Sequence, residues 1–202
     1  MSAPLLSAEG LSLRFGSVVA LKNISLDLYS GEVVAIVGES GSGKTTLLRV
    51  LSGQIKPDSG RVLYRGEDIA RLGEPALRRL MRSEWGYVYQ NPRDGLRMSV
   101  SAGGNVGERL MAAGARHYGN IRAAAREWLA RVEIDPARMD DLPRSFSGGM
   151  QQRLQIARTL VTHPALVFMD EPTGGLDVSV QARLLDLIRG LVADLGLLVL
   201  LV

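Results

Sequence analysis

Hydrophobic and polar residues alternate along the first thirty positions of the chain. The apolar members of the alternating runs are Leu11, Leu13 and Phe15, then Ile24, Leu26 and Leu28. Alternation with a period of two is typical of half-buried strands, so these runs predict an antiparallel sheet. At positions 33–37 five apolar residues follow one another, which predicts a parallel strand covered on both faces.

The rest of the chain alternates between strand and helix patterns. The sequence predicts helices at 44–51 and 180–191, strands at 61–65, 166–169 and 197–202, and a turn at 57–60. Positions 91–163 are mostly helical, with an apolar stripe of Ile121, Ala125, Trp128, Leu129 and Val132. We therefore expect one α/β domain over 1–202. Residues 1–90 plus 164–202 form the predicted catalytic α/β core, which consists of a parallel sheet with helices and an N-terminal antiparallel β subdomain. A helical subdomain is inserted at 91–163.

Composition narrows the possible functions. The 202 residues are 46% hydrophobic and carry 24 basic and 21 acidic side chains but no cysteine. The lack of cysteine excludes a disulfide scaffold and a cysteine nucleophile. No apolar run is long enough to cross a bilayer, so we expect a cytoplasmic protein. The basic cluster of Arg78, Arg79 and Arg82 has the spacing of a solvated helix flank, and we expect no nucleic-acid partner.

A glycine-rich segment joins the predicted strand at 33–37 to the predicted helix at 44–51. Its residues are Gly38, Glu39, Ser40, Gly41, Ser42, Gly43, Lys44 and Thr45, followed by Thr46. The segment fits G-x-x-x-x-G-K-[ST], the P-loop pattern, in which glycines let backbone N–H groups converge on phosphate oxygens. We expect Lys44 to neutralise the β- and γ-phosphates of ATP and Thr45 to bind Mg²⁺.

Two carboxylates follow the predicted strand at 166–169. Asp170 lies at the carboxyl end of that strand, where α/β proteins form their ligand sites, and is expected to hold the Mg²⁺. Glu171 comes next and can orient a water molecule for attack on the γ-phosphate. The pair therefore predicts ATP hydrolysis.

A second glycine pair lies ahead of a helical pattern that begins near position 150. Ser147 is predicted to cap this helix, and Gly148 and Gly149 expose N–H groups at its positive end, which makes a second anion site. Two separate phosphate-facing loops are best explained by a symmetric dimer, in which each loop completes the site of the other protomer.

Together these motifs resemble those of the ATP-binding cassette family, and the resemblance covers essentially the whole chain. Gly38–Thr45 resembles its Walker A motif, Leu166–Glu171 its Walker B strand and Phe146–Gln152 its signature. The fold implied is a P-loop NTPase core with an antiparallel β subdomain and a helical subdomain, and the cofactors implied are ATP and Mg²⁺.

The resemblance also implies roles for single residues. Lys44, Gln90 and Glu171 are implied as catalytic residues, and Gln90, in the Q-loop, would contact the metal or water and report the nucleotide state to a partner. Phe15 occupies the place of the aromatic residue that stacks on adenine, although a core position in the first sheet is the alternative. Asp177 matches the D-loop, which runs between the two protomers.

Three features depart from the family pattern. The D-loop carries Gly174 and Gly175 where less flexible residues are common. Phe146 and Met150 stand where the signature usually has leucine and glutamine. The switch histidine of the family follows the last core strand, whereas this chain stops at Val202 on that strand, and neither His117 nor His163 is placed for the role. We therefore interpret the 202 residues as a truncated form of a longer chain. Because the switch histidine is absent, the resemblance does not imply ATP hydrolysis by the 202-residue form itself.

Four stretches of the sequence indicate which kind of cassette protein the chain resembles. Residues 91–97, 99–111, 114–119 and 170–183 resemble the ATP-binding component of the bacterial carbon-phosphorus lyase system. This implies a soluble phosphonate-metabolism complex as partner, and a dimer with itself or a sister cassette. Met150 and the 177–181 pattern are shared with oligopeptide and nickel importers, so a membrane permease is the alternative partner. A nucleotide-gated clamp of the DNA-repair type is a third hypothesis, but the heptads and cysteines of those proteins are absent.

Overall fold

The computed structural model describes residues 3–202, so the first two residues of the predicted core lie outside it. Within this range the strands are β1 (Leu6–Phe15), β2 (Val18–Leu28), β3 (Val33–Ala35), β4 (Ser59–Tyr64), β5 (Glu67–Asp68), β6 (Trp85–Val88), β7 (Leu166–Met169) and β8 (Leu198–Leu201). The α-helices are α1 (Lys44–Leu51), α2 (Glu74–Ser83), α3 (Pro92–Gly95), α4 (Ala102–Ala112), α5 (Tyr118–Arg131), α6 (Gly148–Leu160) and α7 (Val178–Leu195).

The first sheet is antiparallel, as the alternating pattern predicts. Its strand order is β2-β1-β4-β5. Leu11, Leu13 and Leu28 are buried, but Phe15 is 52% exposed because it pairs with Val18 beside the turn that joins β1 to β2. The alternative in which Phe15 is a core residue is therefore wrong.

The second sheet is parallel throughout, in the order β3-β8-β7-β6. The side chains of β7 are buried on both faces: Val167 and Met169 belong to one hydrophobic cluster, and Leu166 and Phe168 to the other. In contrast, β3 lies at the edge of the sheet within the described range, and Val33 is 48% exposed. The prediction of a strand at 33–37 covered on both faces is wrong, because β3 ends at Ala35 and only one of its faces is covered. Val33 and Ala35 are exposed, whereas Val34 packs against the cluster that contains Leu166 and Phe168.

The predicted helical subdomain is present and consists of α3 to α6. The apolar stripe of α5 is buried along its whole length. It packs with α4 and α6 into the cluster that also contains Val167 and Met169 of β7. The helical subdomain therefore shares one hydrophobic core with the parallel sheet.

Some boundaries differ from the predictions. Ser59 and Gly60, predicted as a turn, begin β4, and Ser59 pairs with Ser12 of β1. The last long helix extends beyond the predicted 180–191 and ends at Gly196, whose φ of 63° is the left-handed conformation that glycine favours after a helix. The basic cluster lies on α2, a helix with no buried residue, as expected of a solvated flank.

Candidate nucleotide site

The topology brings the glycine-rich loop and the two predicted carboxylates to one edge of the parallel sheet. Asp170 and Glu171 follow β7, which lies between β6 and β8, and the glycine-rich loop follows β3. Because the carboxyl ends of parallel strands meet at the same edge, the loop and the carboxylates face each other. Residues 125 positions apart in the sequence are thereby joined by a hydrogen bond, from Thr45 to Asp170.

The end of the glycine-rich loop requires glycine at position 43. Gly43 caps α1 with a φ of 94°, a conformation that costs other residues about 1–2 kcal/mol. A Cβ atom there would lie 2.5 Å from the carbonyl oxygen of Ala20 in β2. The absence of a side chain at Gly43 therefore allows α1 to start directly against the first sheet.

Lys44 places a positive charge over this loop. Its Nζ donates hydrogen bonds to the carbonyl oxygens of Gly38, at 2.9 Å, and Glu39, at 2.8 Å. The ammonium group lies at the start of α1, where the helix dipole has the same sign. The loop is therefore an electropositive site suited to an anion.

Half-buried Thr45 and buried Asp170 are joined at this edge of the sheet. Thr45 Oγ1 donates to Asp170 Oδ1 at 2.8 Å, and Asp170 is only 6% exposed. The hydroxyl of Tyr87 lies 3.4 Å from the other oxygen, Oδ2. Burial, and then the charge of Asp170, raises the pKa of Tyr87, so its hydroxyl remains a neutral donor beside the carboxylate.

Glu171 and Gln90 are in direct contact. Gln90 Nε2 donates to Glu171 Oε2 at 2.5 Å. Glu171 has a φ of 41°, in the left-handed region that non-glycine residues rarely adopt. The N–H of Gly174 donates to the Glu171 carbonyl oxygen at 2.9 Å, which closes a tight turn directly after the carboxylate. The predicted Q-loop residue and the second carboxylate therefore belong to one constellation.

The Ser147 loop lies on a different surface. Ser147 caps α6, as predicted, and its Oγ accepts a hydrogen bond from the N–H of Met150 at 3.3 Å. Within residues 3–202 no hydrogen bond joins this loop to the glycine-rich loop. Gly149 lies against Val180 at the start of α7, and Asp177, directly before that helix, is exposed like Ser147. The predicted signature and D-loop residues therefore share one exposed surface.

The motifs and their geometry agree with a known protein family. A family model described as ABC transporter matches residues 21–174. The chain belongs to the ABC transporter family. The matched range contains the glycine-rich loop, Gln90, the Ser147 loop and both carboxylates, which confirms the predicted family.

Two relatives of this cassette differ in their similarity to it. It is 61% identical to the putative phosphonates utilization ATP-binding protein PhnK of Escherichia coli, over 202 residues that make up 100% of this chain and 80% of PhnK. It is 38% identical to a putative peptide import ATP-binding protein of Brucella ovis, over 96% of this chain and 62% of that protein. The cassette is therefore shorter than both relatives.

Solved structures confirm the predicted fold. The ATP-binding cassette MJ0796, in a dimeric post-hydrolysis structure bound to ADP and Pi, matches this cassette with a TM-score of 0.87 and 30% sequence identity. The match covers 97% of this chain and 86% of that one. In the part of the cassette that the structure describes, no helix is long and apolar enough to span a membrane.

Sequence reasoning missed a set of buried polar residues on α6. These residues are Gln151, Gln152 and Gln155, and they are 8%, 2% and 1% exposed. Gln151 Nε2 donates to the carbonyl oxygens of Pro143 and Phe146 and so supports the Ser147 loop, whereas the other two bond to the backbone of Tyr89. The sequence contains a pattern that indicates their burial, because these polar residues lie beside the apolar stripe of the helix that follows Ser147.

The side chains at the sheet edge fit Mg²⁺ bound together with a nucleotide. No group of three or more His, Cys, Asp or Glu side chains in the described residues could hold a metal ion without other ligands. Protein-bound Mg²⁺ usually takes one or two carboxylates and completes its coordination with phosphate oxygens and water. The Thr45 hydroxyl and the Asp170 carboxylate are such a donor set, and Gln90 lies beside Glu171 next to it.

Proposed function

We propose that this cassette binds and hydrolyses ATP, as a dimer, for a system of phosphonate utilisation. The contact between Gln90 and Glu171, next to the part-buried hydrogen bond from Thr45 to Asp170, carries the proposal of hydrolysis. The 61% identity to PhnK over the whole chain carries the proposal of phosphonate utilisation.

The nucleotide is held by the glycine-rich loop. The residues proposed to contact ATP on this side are Phe15, Gly38, Glu39, Ser40, Gly41, Ser42, Gly43, Lys44, Thr45 and Thr46. Lys44 supplies charge for the phosphates, and the N–H groups at the start of α1 donate to their oxygens. Phe15 is exposed at the end of β1, on the hairpin whose second strand backs Gly43, so its ring is available to stack on adenine.

Hydrolysis depends on the carboxylates. Mg²⁺, held by Thr45, Asp170 and Gln90, would neutralise charge on the phosphate oxygens. Gln90 donates to Oε2 of Glu171, which leaves Oε1 to accept a hydrogen bond from the attacking water. Glu171 thus orients the water, while Lys44 offsets the charge of the phosphates.

A second protomer completes the site. Ser147, Gly148 and Gly149 present the N-terminus of α6, and they lie with Asp177 on one exposed surface. Such a surface suits the γ-phosphate of a nucleotide bound to the glycine-rich loop of another protomer. The dimeric structure of MJ0796 supports this arrangement, and the partner protomer is either a second copy or a sister cassette.

The docking partner is proposed to be a soluble, cytoplasmic complex of phosphonate-metabolism enzymes. A cavity of about 450 Å³ lies between α2, β6 and the helical subdomain, and it is lined in part by Arg78, Arg82, Arg109, Arg158 and Asp94. Burial, and then the charge of Arg158, lowers the pKa of Arg109. Arg78 and Arg158 already pair with Glu74 and Glu108. Within residues 3–202 Arg82 and Arg109 form no ion pair, and these two guanidinium groups favour a partner segment that carries carboxylates.

The first experiment tests ATP turnover in the full-length protein. We expect the wild type to hydrolyse ATP and Lys44→Ala to lose ATP binding. Glu171→Gln should bind ATP but not hydrolyse it, so that a dimer accumulates in size-exclusion chromatography with light scattering. Glu127→Gln, an exposed carboxylate on α5, is the matched control and should behave like the wild type. Wild-type turnover in Glu171→Gln would refute the role of Glu171.

The second experiment identifies the partner. Full-length tagged Glu171→Gln is captured from cells with ATP, and the soluble and detergent-extracted fractions are analysed separately by mass spectrometry. Co-purification of phosphonate-metabolism enzymes in the soluble fraction would support the proposal. The second candidate function is that of an importer subunit, which the 38% identity to the Brucella ovis protein favours. Recovery of integral membrane subunits would establish that alternative.

A further inference from the structure

Gln155 bonds to both polar backbone groups of Tyr89. The N–H of Tyr89 donates to Gln155 Oε1 at 2.7 Å, and Gln155 Nε2 donates to the carbonyl oxygen of Tyr89 at 3.0 Å. Tyr89 directly follows β6, whose pairing with β7 ends at Val88 and Met169. At the first position beyond the end of β6, a side chain of α6 therefore supplies the hydrogen bonds that a neighbouring strand would otherwise make.

The orientation of the Gln155 amide is fixed by a second glutamine. Gln155 Nε2 also donates to Gln152 Oε1 at 3.2 Å, and Gln152 Nε2 donates to the Tyr89 carbonyl oxygen at 3.3 Å. Both glutamines are almost fully buried, so water does not compete for these bonds. The Gln155 side chain is consequently held in one rotamer with its oxygen toward the N–H of Tyr89.

Gly95 makes room for the same amide. A Cβ atom on Gly95 would overlap Gln155 Oε1 and would lie 2.8 Å from its Cδ. Gln155 therefore contacts the segment 89–95 at both ends, at Tyr89 and at Gly95. Gln90 lies within this segment and reaches Glu171 with its own side chain.

We propose that Gln155 is a positioning residue that holds Gln90 against Glu171 and couples this contact to the position of α6. The helix that carries Gln155 begins at the Ser147 loop, eight positions earlier, which is about 12 Å along a helix that rises 1.5 Å per residue. A displacement of α6 when its N-terminus engages a phosphate moves the Tyr89 backbone and with it Gln90. Gln155 on α6 is hydrogen-bonded to the backbone of Tyr89, and the next residue, Gln90, is hydrogen-bonded to Glu171, the proposed catalytic carboxylate.

The inference rests on the proposed ATP hydrolysis and is tested by a double-mutant cycle in the full-length protein. Gln155→Met keeps the length of the side chain and removes both bonds to Tyr89. We expect kcat to fall about tenfold with the KM for ATP within about twofold, because the geometry at Glu171 changes while the glycine-rich loop does not. If Gln155 acts through Gln90, the double variant with Gln90→Ala should be no slower than Gln90→Ala alone.

A neighbouring glutamine serves as the matched control. Gln151→Met also removes a buried amide from α6, but Gln151 bonds to Pro143 and Phe146 and not to Tyr89. Its effect on kcat should therefore add fully to that of Gln90→Ala. If Gln155→Met does not fold, Gly95→Ala tests the same contact, since its methyl group displaces the Gln155 amide. This variant should likewise lower kcat and leave the KM for ATP nearly unchanged.

The outcomes separate this inference from the proposed function. If wild type hydrolyses ATP, Glu171→Gln does not, and the effects of Gln155→Met and Gln90→Ala add, then Gln155 only stabilises the fold and the inference is overturned. An unchanged kcat in Gln155→Met overturns it as well. If the full-length wild type has no ATP turnover, the proposed function fails and the inference fails with it.

Discussion

The hydrogen bond from Thr45 to Asp170 can be removed with little change in shape. Thr45→Val replaces the hydroxyl by a methyl group of similar size, while Thr45→Ser keeps the hydroxyl and removes a methyl group. The bond is 2.8 Å long, its acceptor is a carboxylate, and Asp170 is 6% exposed. The two variants therefore separate the contribution of the donor from that of packing.

The structure sets the expected magnitude. A hydrogen bond to a charged group contributes about 1.5–3 kcal/mol, and removal of the donor leaves the buried carboxylate with the Tyr87 hydroxyl at 3.4 Å as its remaining nearby donor. For a chain of this size, each kcal/mol shifts Tm by about 2–4 °C. We expect Thr45→Val to lower Tm by about 3–12 °C in the absence of nucleotide. The loss of a proposed Mg²⁺ ligand should also weaken MgATP binding at least about tenfold.

Two assays on the full-length protein test this expectation. Calorimetry gives Tm without nucleotide, and a titration with a fluorescent ATP analogue, with Mg²⁺ and then with EDTA, gives the metal-dependent part of the affinity. Thr45→Ser should retain most of both. The reasoning is refuted if Thr45→Val keeps the wild-type Tm and Mg²⁺ dependence, or if Thr45→Ser is impaired to the same degree.

Two further substitutions test the rest of the nucleotide site. Gly43→Ala, which brings a methyl group against the Ala20 carbonyl oxygen, should lower both Tm and ATP affinity. The control is Gly31→Ala, outside the glycine-rich loop, where φ is also 81° and no atom lies within 4 Å of the added Cβ. It should cost only about 1–2 kcal/mol of backbone strain and leave ATP affinity unchanged, so equal losses of ATP affinity in the two variants would contradict the role of the contact. Phe15→Ala should weaken ATP binding about tenfold by loss of stacking, while the free energy of unfolding changes by less than about 0.5 kcal/mol. An unchanged affinity for ATP in the same titration would exclude Phe15 from the site.

Elements with a strong local signal were predicted to the residue. The helix at 44–51 and the strand at 166–169 have the predicted bounds. The first is fixed by a glycine before it and an apolar face along it, and the second is an uninterrupted apolar run in the middle of a sheet. The strand at 33–37 carries a similar run, but whether each of its faces is covered depends on the elements that pack against the sheet, which local patterns do not contain. The sequence therefore identified the strand but not its exposed face.

For the candidate nucleotide site, the sequence predicts the side chains expected to bind phosphate and Mg²⁺ but not the contacts that support them. Lys44, Thr45 and Asp170 were named because phosphate and Mg²⁺ binding demand these residue types at these spacings, and the structure places Thr45 against Asp170. The supporting contacts of Tyr87 and Gln155 were not found, because each links residues far apart in the sequence, 83 and 66 positions respectively. A buried amide that bonds to a distant backbone group leaves only a weak trace, a polar residue beside an apolar stripe.

The backbone at Glu171 sets function against stability. At a φ of 41°, a glycine would relieve backbone strain of about 1 kcal/mol, so the backbone conformation taken alone favours glycine at this position. A protein engineer who ranked substitutions by backbone strain would thus be led to replace the residue proposed to orient water. The same preference makes this position a useful probe of selection, because glutamate persists there only while its carboxylate is in use.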